Sequence, residues 1–489
     1  MQPQYNPFNV VHFHHHLKTQ RETLVYSSET MTEVFMNAKS KKLSVLMFPW
    51  LAHGHLSPFL ELGRKLSKRN FSVHLCSTPA NLSSIRKRMG EESSIQLVQL
   101  DLPSLPNLPP CWHTTNGLPP HLMDTLKSAF DMAKPGFSKI LETVKPDLLI
   151  YDFLRPWPAQ AAVDLRIPAV QFIATSATMT SFMLHTFKYP SIDYPFSTIF
   201  YREYEKAQVS RSGECDELHK AIESLEMSDT VILIKGIKEM EGNFSDYLST
   251  MSGKKIVHVG ALVQDPIRKD DSDIIQWLNK KKKYSTIFIS FGSEYFLSEE
   301  DFKELAHGLM LSNVNFIWVV RFPVGEIIRV EDKLPAGFHK KVGARGLIVE
   351  GWAPQANILG HSSIGGFVSH CGWNSVNESM YFGVPIIAMP MHLDQPINAR
   401  LVKDFGTGIE VLRDENGRVK REKIASVIKQ VVATRNGRIM RKKAKELGAS
   451  IRQKGDEEID EVVKELMQLS LFKKAEIEID EVVRELSRP

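Results

Sequence analysis

Short apolar runs alternate with longer amphipathic stretches from residue 43 onward. The apolar runs are continuous, which is the pattern of parallel strands covered on both faces. We predict strands at 43–49, 71–77, 147–152, 169–173 and 231–235, and a second series at 286–291, 316–320, 347–350, 366–369 and 385–389. Helical stretches between them, such as 60–68 and 298–311, supply the crossovers. The chain is therefore predicted to be α/β, with two doubly wound, Rossmann-like sheets.

A polar segment, QDPIRKDDSD at 264–273, separates the two series of strands. It is charged and contains a proline, as expected of a linker. We therefore expect one domain at 41–263 and a second at 274–455, which suits a chain of 489 residues. Two such domains enclose a cleft at the carboxyl ends of their strands, where ligands bind in sheets of this kind.

The two ends of the chain stand apart from this pattern. Residues 1–40 contain His12 and the triplet His14, His15 and His16, but no apolar segment of the kind that a secretory signal needs. A histidine cluster can bind metal; the alternatives are a disordered leader or a start of translation at Met31 or Met36. We expect a disordered leader.

The tail at 456–489 contains a repeat. EIDEVVKEL at 458–466 recurs as EIDEVVREL at 478–486, and the spacing of its Ile, Val and Leu residues predicts an amphipathic helix for each copy. A duplicated terminal helix or an error in the predicted end of the gene both explain it. The second copy is expected to lack a surface to pack on.

Composition excludes several classes of protein. Basic residues number 61 and acidic residues 57, a balance that argues against nucleic-acid binding. No apolar run is long enough to span a membrane. The cysteines, Cys76, Cys111, Cys215 and Cys371, are too far apart for a disulfide framework or a zinc site, so we expect a reducing, cytoplasmic location. We also expect a monomer.

The segment 352–395 carries the most chemical information. Its central strand runs into His370, Cys371 and Gly372 and then into a helix, where Gly372 permits a tight turn. A helix N-terminus offers free N–H groups to a phosphate, and His370, Asn374 and Ser375 add side-chain donors. In the alternative interpretation, Ser375 and Glu378 form a capping box, and Trp352 is a core residue. A metal site at His370 and Cys371 lacks further ligands at useful spacing.

This segment resembles the 44-residue signature box of the plant UDP-dependent glycosyltransferases of small molecules. The resemblance rests on WAPQ, on HSSIGGFVSHCGWNS, on the following ES and on the final DQ. It covers about 41–455, excluding the leader and the repeated tail. It implies a GT-B fold, in which two Rossmann-like domains face a cleft and the last helix crosses back onto the first domain.

The resemblance also implies roles for single residues. Trp352 stacks on the uracil ring, with Ala353 and Gln355 beside it, and Glu378 holds the ribose hydroxyls. The diphosphate lies at the helix N-terminus and is bound by the set Ser290, Ser293, His370, Trp373, Asn374 and Ser375. Asp394 and Gln395 bind the sugar, and glutamine at this last position commonly accompanies glucose. UDP-glucose is therefore the expected co-substrate, with no further cofactor and no metal.

Two residues of the first half match the catalytic positions of the family. His55, in FPWLAHGHLSP, matches the base, while His53 is expected to shape the acceptor pocket. Asp152 ends the apolar run LLIYD and fits the arrangement of a base and its orienting carboxylate. Neutral His55 would take the proton of the acceptor hydroxyl as it attacks the anomeric carbon, and Asp152 would stabilise the imidazolium. Attack opposite the leaving UDP would invert the anomeric configuration.

Three other functions compete with this one. A metal-dependent glycosyltransferase would use an Asp-x-Asp motif, which Asp271 and Asp273 form, but inside the predicted linker. A nicotinamide oxidoreductase would need G-x-G-x-x-G, and the segment at Gly406 and Gly408 lacks the third glycine. A non-catalytic UDP-sugar-binding protein would be free to lose His55 or Asp152, and both are present.

The acceptor is expected to depend on the first half of the chain. HTTNGLPPHL at 113–122 and the stretch around His55 resemble the branch of the family that extends existing glycosides. Such acceptors are glycosides of flavonoids, terpenoids, lignans or apocarotenoids, often extended through a β-1,6 bond. Glucosylation of an aglycone hydroxyl is the alternative.

Overall fold

The computed structural model describes residues 42–89, 94–211, 214–264, 266, 272–292, 295–322 and 328–486. The expected leader at 1–40, Ser293, Asp271 and most of the predicted linker lie outside the described residues. The predicted domain boundaries at 263 and 274 therefore stay predictions.

Seven parallel strands form the first sheet, in the order β3-β2-β1-β4-β5-β6-β7. The two central strands are fully or largely buried, as their continuous apolar sequences predict. The strands are β1 (Leu43–Phe48), β2 (Phe71–Ser77), β3 (Ile95–Gln99), β4 (Leu148–Asp152), β5 (Ala169–Ile173), β6 (Val231–Ile234) and β7 (Lys255–His258).

Six parallel strands form the second sheet, in the order β10-β9-β8-β11-β12-β13. The strands are β8 (Thr286–Ser290), β9 (Asn315–Val320), β10 (Gly346–Glu350), β11 (Ile364–Ser369), β12 (Ile386–Ala388) and β13 (Gly408–Glu410). The first six strands of each sheet thus share one order, in which the direction of winding reverses between the first and fourth strands. Ligands bind at such a reversal, next to the carboxyl ends of the strands.

Helices connect the strands in both halves. Those of the first half are α1 (His53–Ser67), α2 (Pro79–Met89), α3 (Met123–Asp131), α4 (Lys134–Val144), α5 (Trp157–Asp164), α6 (Ala177–Lys188), α7 (Glu203–Arg211), α8 (Glu214–Met227) and α9 (Lys238–Ser252). Those of the second half are α10 (Asp273–Asn279), α11 (Glu299–Ser312), α12 (Val330–Lys333), α13 (Phe338–Val342), α14 (Gln355–Gly360), α15 (Trp373–Tyr381), α16 (Gln395–Asp404), α17 (Arg421–Ala433) and α18 (Arg435–Leu486).

The predicted fold class is confirmed, and each predicted strand has a counterpart within one or two residues of its expected ends. Three strands escaped the prediction: β3, β7 and β13. The first two are edge strands with exposed or half-buried residues, and β13 has only three residues, so none presents a continuous apolar run. The first helix begins at His53, earlier than expected, which brings both histidines into its first turn.

The last helix, α18, runs as one 52-residue element and crosses onto the first sheet, as the resemblance implied. Ile459, Val462 and Leu466, from the first copy of the tail repeat, are fully buried in the core of the first half. The repeat therefore lies within one continuous helix. In its second copy Ile479 is half-buried and Val483 is 48% exposed.

Buried charges join the two halves beside the cleft. Arg400 on α16 contacts Glu205 on α7 at 2.7 Å, and Arg202 pairs with Glu410 on β13 through both guanidinium N–H groups. Arg400, Glu205 and Glu410 are each at most 4% exposed. Burial makes such a network costly to break, because a lost partner leaves a charge without compensation. The segment that contains α7 is therefore anchored on the second half.

Candidate active site

The carboxyl edge of the first sheet holds a histidine–aspartate pair. His55 lies in the first turn of α1, just beyond β1, and Asp152 is the last residue of the neighbouring β4. The Nδ1 atom of His55 lies 2.9 Å from Oδ2 of Asp152 and 3.1 Å from Oδ1. A carboxylate accepts, so Nδ1 donates, and Nε2 is then the basic nitrogen of the ring.

The Asp152 carboxylate is held by the backbone around it. Trp50 N–H donates to Oδ2 at 3.0 Å, and Phe153 N–H donates to Oδ1 at 2.8 Å. The Phe153 ring stacks on His55 with centroids 5.7 Å apart. Asp152 is 6% exposed, whereas the His55 side chain keeps 22% of its surface. The Asp152 carboxylate is thus held in place by backbone N–H groups, while the His55 ring stays partly accessible.

The carboxyl edge of the second sheet holds a turn and a helix N-terminus. Cys371 adopts a positive φ of 66°, and its N–H donates to the Ser369 hydroxyl at 3.1 Å. Gly372 is the N-cap of α15, so Ser375 is its third residue. The capping-box interpretation is therefore wrong, because Ser375 does not occupy the cap position that this motif requires.

His370 fits between two glycines. A Cβ atom on Gly292 would lie 2.8 Å from Nε2 of His370, and one on Gly372 would lie 2.4 Å from it. Only residues without a side chain fit at these positions. Burial and, to a lesser extent, nearby His392 together lower the pKa of His370 to about 4. This ring is therefore neutral at pH 7.

Trp373 and Asn374, the first two residues of α15, connect the halves. The buried Trp373 indole N–H donates to the carbonyl of Lys235 at 2.7 Å, so its ring belongs to the interface. Asn374 Nδ2 donates to the carbonyl of Gly54 at 2.9 Å. That carbonyl is available because Pro58, four residues later in α1, has no N–H to donate.

A second group of predicted donor residues lies at the start of α14. Trp352 is 69% exposed, and its neighbour Ala353 is buried. The Gln355 amide donates to the Glu378 carboxylate of α15. An exposed aromatic face beside a fixed amide and carboxylate suits a base and a sugar with neighbouring hydroxyls.

Asp394 and Gln395 begin α16. Asp394 Oδ2 accepts from the Thr175 hydroxyl at 3.0 Å and from Asn398 Nδ2 at 2.8 Å. Burial raises the pKa of the Asp394 carboxyl, and these hydrogen bonds oppose the rise. Gln395 Oε1 accepts from the backbone N–H groups of Met391 and His392, which leaves the amide NH₂ as the donor.

One cavity of about 2120 Å³ brings most of these residues together. It is lined by His53 and His55 from the first half and, from the second, by His370, Trp373, Asn374, Ser375, Asp394 and Gln395. Asp152 lies directly behind His55, and Ser290 is buried at the end of β8. The lining of this cavity does not include Trp352, Ala353, Gln355 or Glu378.

The described residues contain no group of three or more His, Cys, Asp or Glu side chains placed to hold a metal ion. The thiols of Cys76, Cys111 and Cys371 are free, and the Cys215 side chain lies outside the description. Within the same part of the chain, no helix combines the length and the apolar character needed to cross a bilayer.

Sequence reasoning missed several residues at this site. Lys235, Thr175 and Asn398 contact predicted donor residues. The sequence carried a signal for Lys235, since a lysine that ends a buried apolar run is unusual. Thr175 carried none, because its contact with Asp394 joins residues that are 219 positions apart. Asn398 lies in the same helix turn as Asp394, but nothing in its local sequence marks it.

Paired Rossmann-like sheets that bring a histidine–aspartate pair and a helix N-terminus to one cavity are the arrangement of a two-domain group-transfer enzyme. Two family models match the chain: "Glycosyltransferase, N-terminal domain" over residues 41–264 and "UDP-glucoronosyl and UDP-glucosyl transferase" over 253–447. Together they span both halves of the cavity.

Known proteins are similar to this chain over nearly their whole length. "UDP-glucosyltransferase 29" of Panax ginseng is 51% identical over 88% of this chain and 98% of its own. "Beta-D-glucosyl crocetin beta-1,6-glucosyltransferase" of Gardenia jasminoides is 48% identical over 86% and 97%. The crystal structure of Glycyrrhiza uralensis UGT73P12 with glycyrrhetinic acid 3-O-monoglucuronide superposes with a TM-score of 0.78, at 25% identity over 91% and 99%. The chain belongs to the plant UDP-glycosyltransferase family and is a UDP-sugar-dependent glycosyltransferase.

Proposed function

We propose that the enzyme transfers glucose from UDP-glucose to a hydroxyl on the sugar of a small-molecule glycoside, with inversion at the anomeric carbon. One observation carries this proposal: the His55–Asp152 pair and the N-termini of α15 and α16 meet in a single cavity. In this arrangement 41–263 binds the acceptor and 274–455 binds the donor.

His55 is the general base. A sugar hydroxyl is a very weak acid, so its oxygen attacks efficiently only if a base removes the proton during attack. Nε2 of His55 takes that proton, the acceptor oxygen bonds to the anomeric carbon, and the bond from that carbon to the diphosphate breaks. Asp152 stabilises the imidazolium that forms, through the 2.9 Å contact to Nδ1.

The second half receives the leaving UDP. Negative charge develops on the diphosphate at the N-terminus of α15, whose backbone N–H groups and cavity-lining Asn374 and Ser375 side chains stabilise it. Ser290, Ser293 and the Trp373 backbone complete this set in the proposal. His370, neutral because of its lowered pKa, contributes a hydrogen bond and no charge.

The nucleoside and the sugar occupy opposite ends of the donor. Trp352 stacks on uracil beside Ala353 and Gln355, and Glu378 accepts from the ribose hydroxyls. Asp394 accepts from the hydroxyls of glucose. The Gln395 amide, whose oxygen is engaged by backbone N–H groups, donates to a glucose oxygen, so this glutamine favours a substrate with an acceptor at that position.

The shape of the cavity supports an acceptor that already carries a sugar. Its volume of about 2120 Å³ exceeds the roughly 300–1,000 Å³ of a pocket for one drug-sized ligand, so the cavity has room for an acceptor beside the donor. Part of the wall is apolar and aromatic, with Met179, Phe182 and Tyr194, whereas the part near Trp50 carries Lys127 and Glu217. An apolar aglycone suits the aromatic wall, and sugar hydroxyls suit the charged part near Trp50.

The relatives support the same class of acceptor. By name, the Gardenia jasminoides protein extends a glucosyl crocetin through a β-1,6 bond, and the Glycyrrhiza uralensis structure contains a monoglucuronide. These names describe those proteins alone. For the present chain they favour a glycoside over a free aglycone.

The test supplies UDP-glucose with matched pairs of aglycone and monoglucoside and identifies products by mass spectrometry and NMR. We expect product from the monoglucosides, with a β-configured new bond, and far less from a His55→Ala control. Lys127→Met and Glu217→Gln should raise the KM for the monoglucoside about ten-fold, since hydrogen bonds to charged groups are lost. The matched control Lys139→Met, on the exposed side of α4, should not.

Product from aglycones alone would replace the glycoside acceptor with direct glucosylation of an aglycone. Transfer from another UDP-sugar in preference to UDP-glucose would refute the proposal that Gln395 selects UDP-glucose. Retention of the α-configuration would refute the single displacement at the anomeric carbon.

A further inference from the structure

Lys235 is a buried lysine outside the predicted catalytic set. It follows β6 in the first half, where its backbone N–H donates to the Ile173 carbonyl at 2.9 Å. The whole residue is 2% exposed. Lysine is among the residues least often buried in proteins, and its burial requires compensation from polar partners.

Its ammonium group points at the predicted phosphate site. Lys235 Nζ donates to Oδ1 of Asn374, on the first turn of α15. The Lys235 carbonyl, in turn, accepts from the Trp373 indole at 2.7 Å. One residue of the first half therefore contacts two consecutive residues at the helix N-terminus of the second half.

The Lys235 contact also determines which way the Asn374 amide faces. With Oδ1 engaged by the ammonium, the NH₂ group donates one hydrogen to the Gly54 carbonyl at 2.9 Å. An amide NH₂ has two hydrogens, so the second remains for a phosphate oxygen. If the amide rotated by 180°, its oxygen would face the Gly54 carbonyl and the anionic diphosphate, and both contacts would become repulsive.

The charges around Lys235 leave it without full compensation. Burial lowers the pKa of its ammonium and the carboxylates of Glu378 on α15 and Glu61 on α1 oppose this in part, which leaves a pKa of about 8. The group is therefore charged at neutral pH, behind a helix N-terminus that already favours anions. A dianionic diphosphate at α15 would add negative charge on the open side.

We propose that Lys235 is a positioning residue for the donor: it locks the Asn374 amide with its NH₂ group toward the diphosphate and thereby couples the phosphate site to the Gly54 turn that carries His55. This inference rests on the proposed UDP-sugar site at α15. It assigns to a lysine of the acceptor half a role in donor binding. Because Gly54 is adjacent to His55, a loosened amide is expected to affect the base as well.

The test replaces the ammonium with an apolar chain of similar length. Lys235→Met should raise the KM for UDP-glucose and the Kd for UDP by about ten- to a hundred-fold, since a buried hydrogen bond to a charged group is lost. The KM for the acceptor should change far less. Lys238→Met, three residues later and exposed, is the matched control and should behave as the wild type. Thermal unfolding identifies a variant that has simply lost its fold.

A double-mutant cycle separates positioning from general destabilisation. If Lys235 acts through the amide, Lys235→Met should add little to the loss caused by Asn374→Ala, whereas independent structural effects would add. The pH profile gives a further readout. In the wild type the KM for UDP-glucose should rise above pH 8, as the ammonium loses its proton, and this rise should be absent from Lys235→Met.

A folded Lys235→Met with an unchanged KM for UDP-glucose would overturn the inference, and so would additive losses in the cycle. The proposed function has a separate criterion. If Asn374→Ala itself left UDP binding intact, the UDP-sugar site at α15 would be wrong, whatever the behaviour of Lys235.

Discussion

The two halves of the molecule share one strand order yet use it for different chemistry. In each sheet the ends of the first and fourth strands meet at the point where the winding reverses, and each such point holds a histidine. His55 is partly open and lies 2.9 Å from a carboxylate. His370 is buried between glycines, and burial lowers its pKa to about 4.

This difference shows that neighbours, rather than the place in the fold, determine what a histidine does. A carboxylate behind the ring stabilises the protonated form, so His55 can accept a proton during reaction. Burial disfavours that form, so His370 stays neutral and serves as a hydrogen-bonding group. The same topology thus supplies a base on one side of the cleft and an anion site on the other.

The largest expected effect comes from removing the base of the first half. His55→Ala should lower kcat by about 10²–10⁴-fold, because general-base assistance is lost, and leave UDP affinity unchanged. Steady-state rates and calorimetric titration with UDP measure the two quantities. His53→Ala is the matched control and should cost much less. If His55→Ala kept most of its rate, His55 would not be the base, and its contrast with the neutral His370 would be wrong.

The next effect concerns the buried charges that hold the halves together. Arg400→Met removes the cation beside Glu205 and Glu410, and it should lower the free energy of unfolding by about 3 kcal/mol. Chemical denaturation measures the loss. Adding Glu205→Gln should restore part of it, since one uncompensated charge disappears. Equal stability of Arg400→Met and the wild type would mean that the network does not align the halves.

A smaller effect should be confined to the second half. Trp352→Ala removes an exposed aromatic face and should raise the KM for UDP-glucose roughly ten-fold, because stacking on a base contributes about 1–3 kcal/mol. The kcat should change little. Trp277, on α10 of the same half, offers a control in Trp277→Ala. A fall in kcat at unchanged KM would argue that Trp352 has no role in ground-state binding.

The smallest effect tests whether His370 is held neutral. Its folded pKa of about 4 lies below the ordinary 6.5, so the unfolded chain binds a proton first as pH falls. Stability is therefore complete above pH 6.5 and declines toward pH 4, by less than about 1 kcal/mol between pH 7 and 6. His370→Asn should flatten this decline in pH-dependent denaturation. A decline of unchanged slope would mean that His370 is not the group responsible.

The sequence predicts the parts of this molecule that depend on local pattern. Buried central strands such as β4 and β8 have continuous apolar sequences, and the residues of 352–395 follow a contiguous motif. Contacts between distant segments carry no such signal. The hydrogen bond from Thr175 to Asp394 and the one from Asn374 to Gly54 depend on how the halves meet, which no local pattern records. Proline disfavours a helix interior, so Pro58 gives no sign that α1 begins at His53, and only the structure shows the Asn374 amide donating to the Gly54 carbonyl in place of the missing N–H.

The tail repeat has a consequence that follows from the screw symmetry of an α-helix. Twenty residues make about five and a half turns, so in one unbroken helix the two copies face nearly opposite directions. The copy at 458–466 turns Ile459, Val462 and Leu466 into the core, whereas Ile479, which matches Ile459 in the copy at 478–486, is only half-buried. A duplication of eighteen residues, a whole number of turns, would have kept the phase. Nearly identical sequence in a helix therefore does not mean identical surroundings: the same nine-residue pattern packs differently when the helix turns it to another direction.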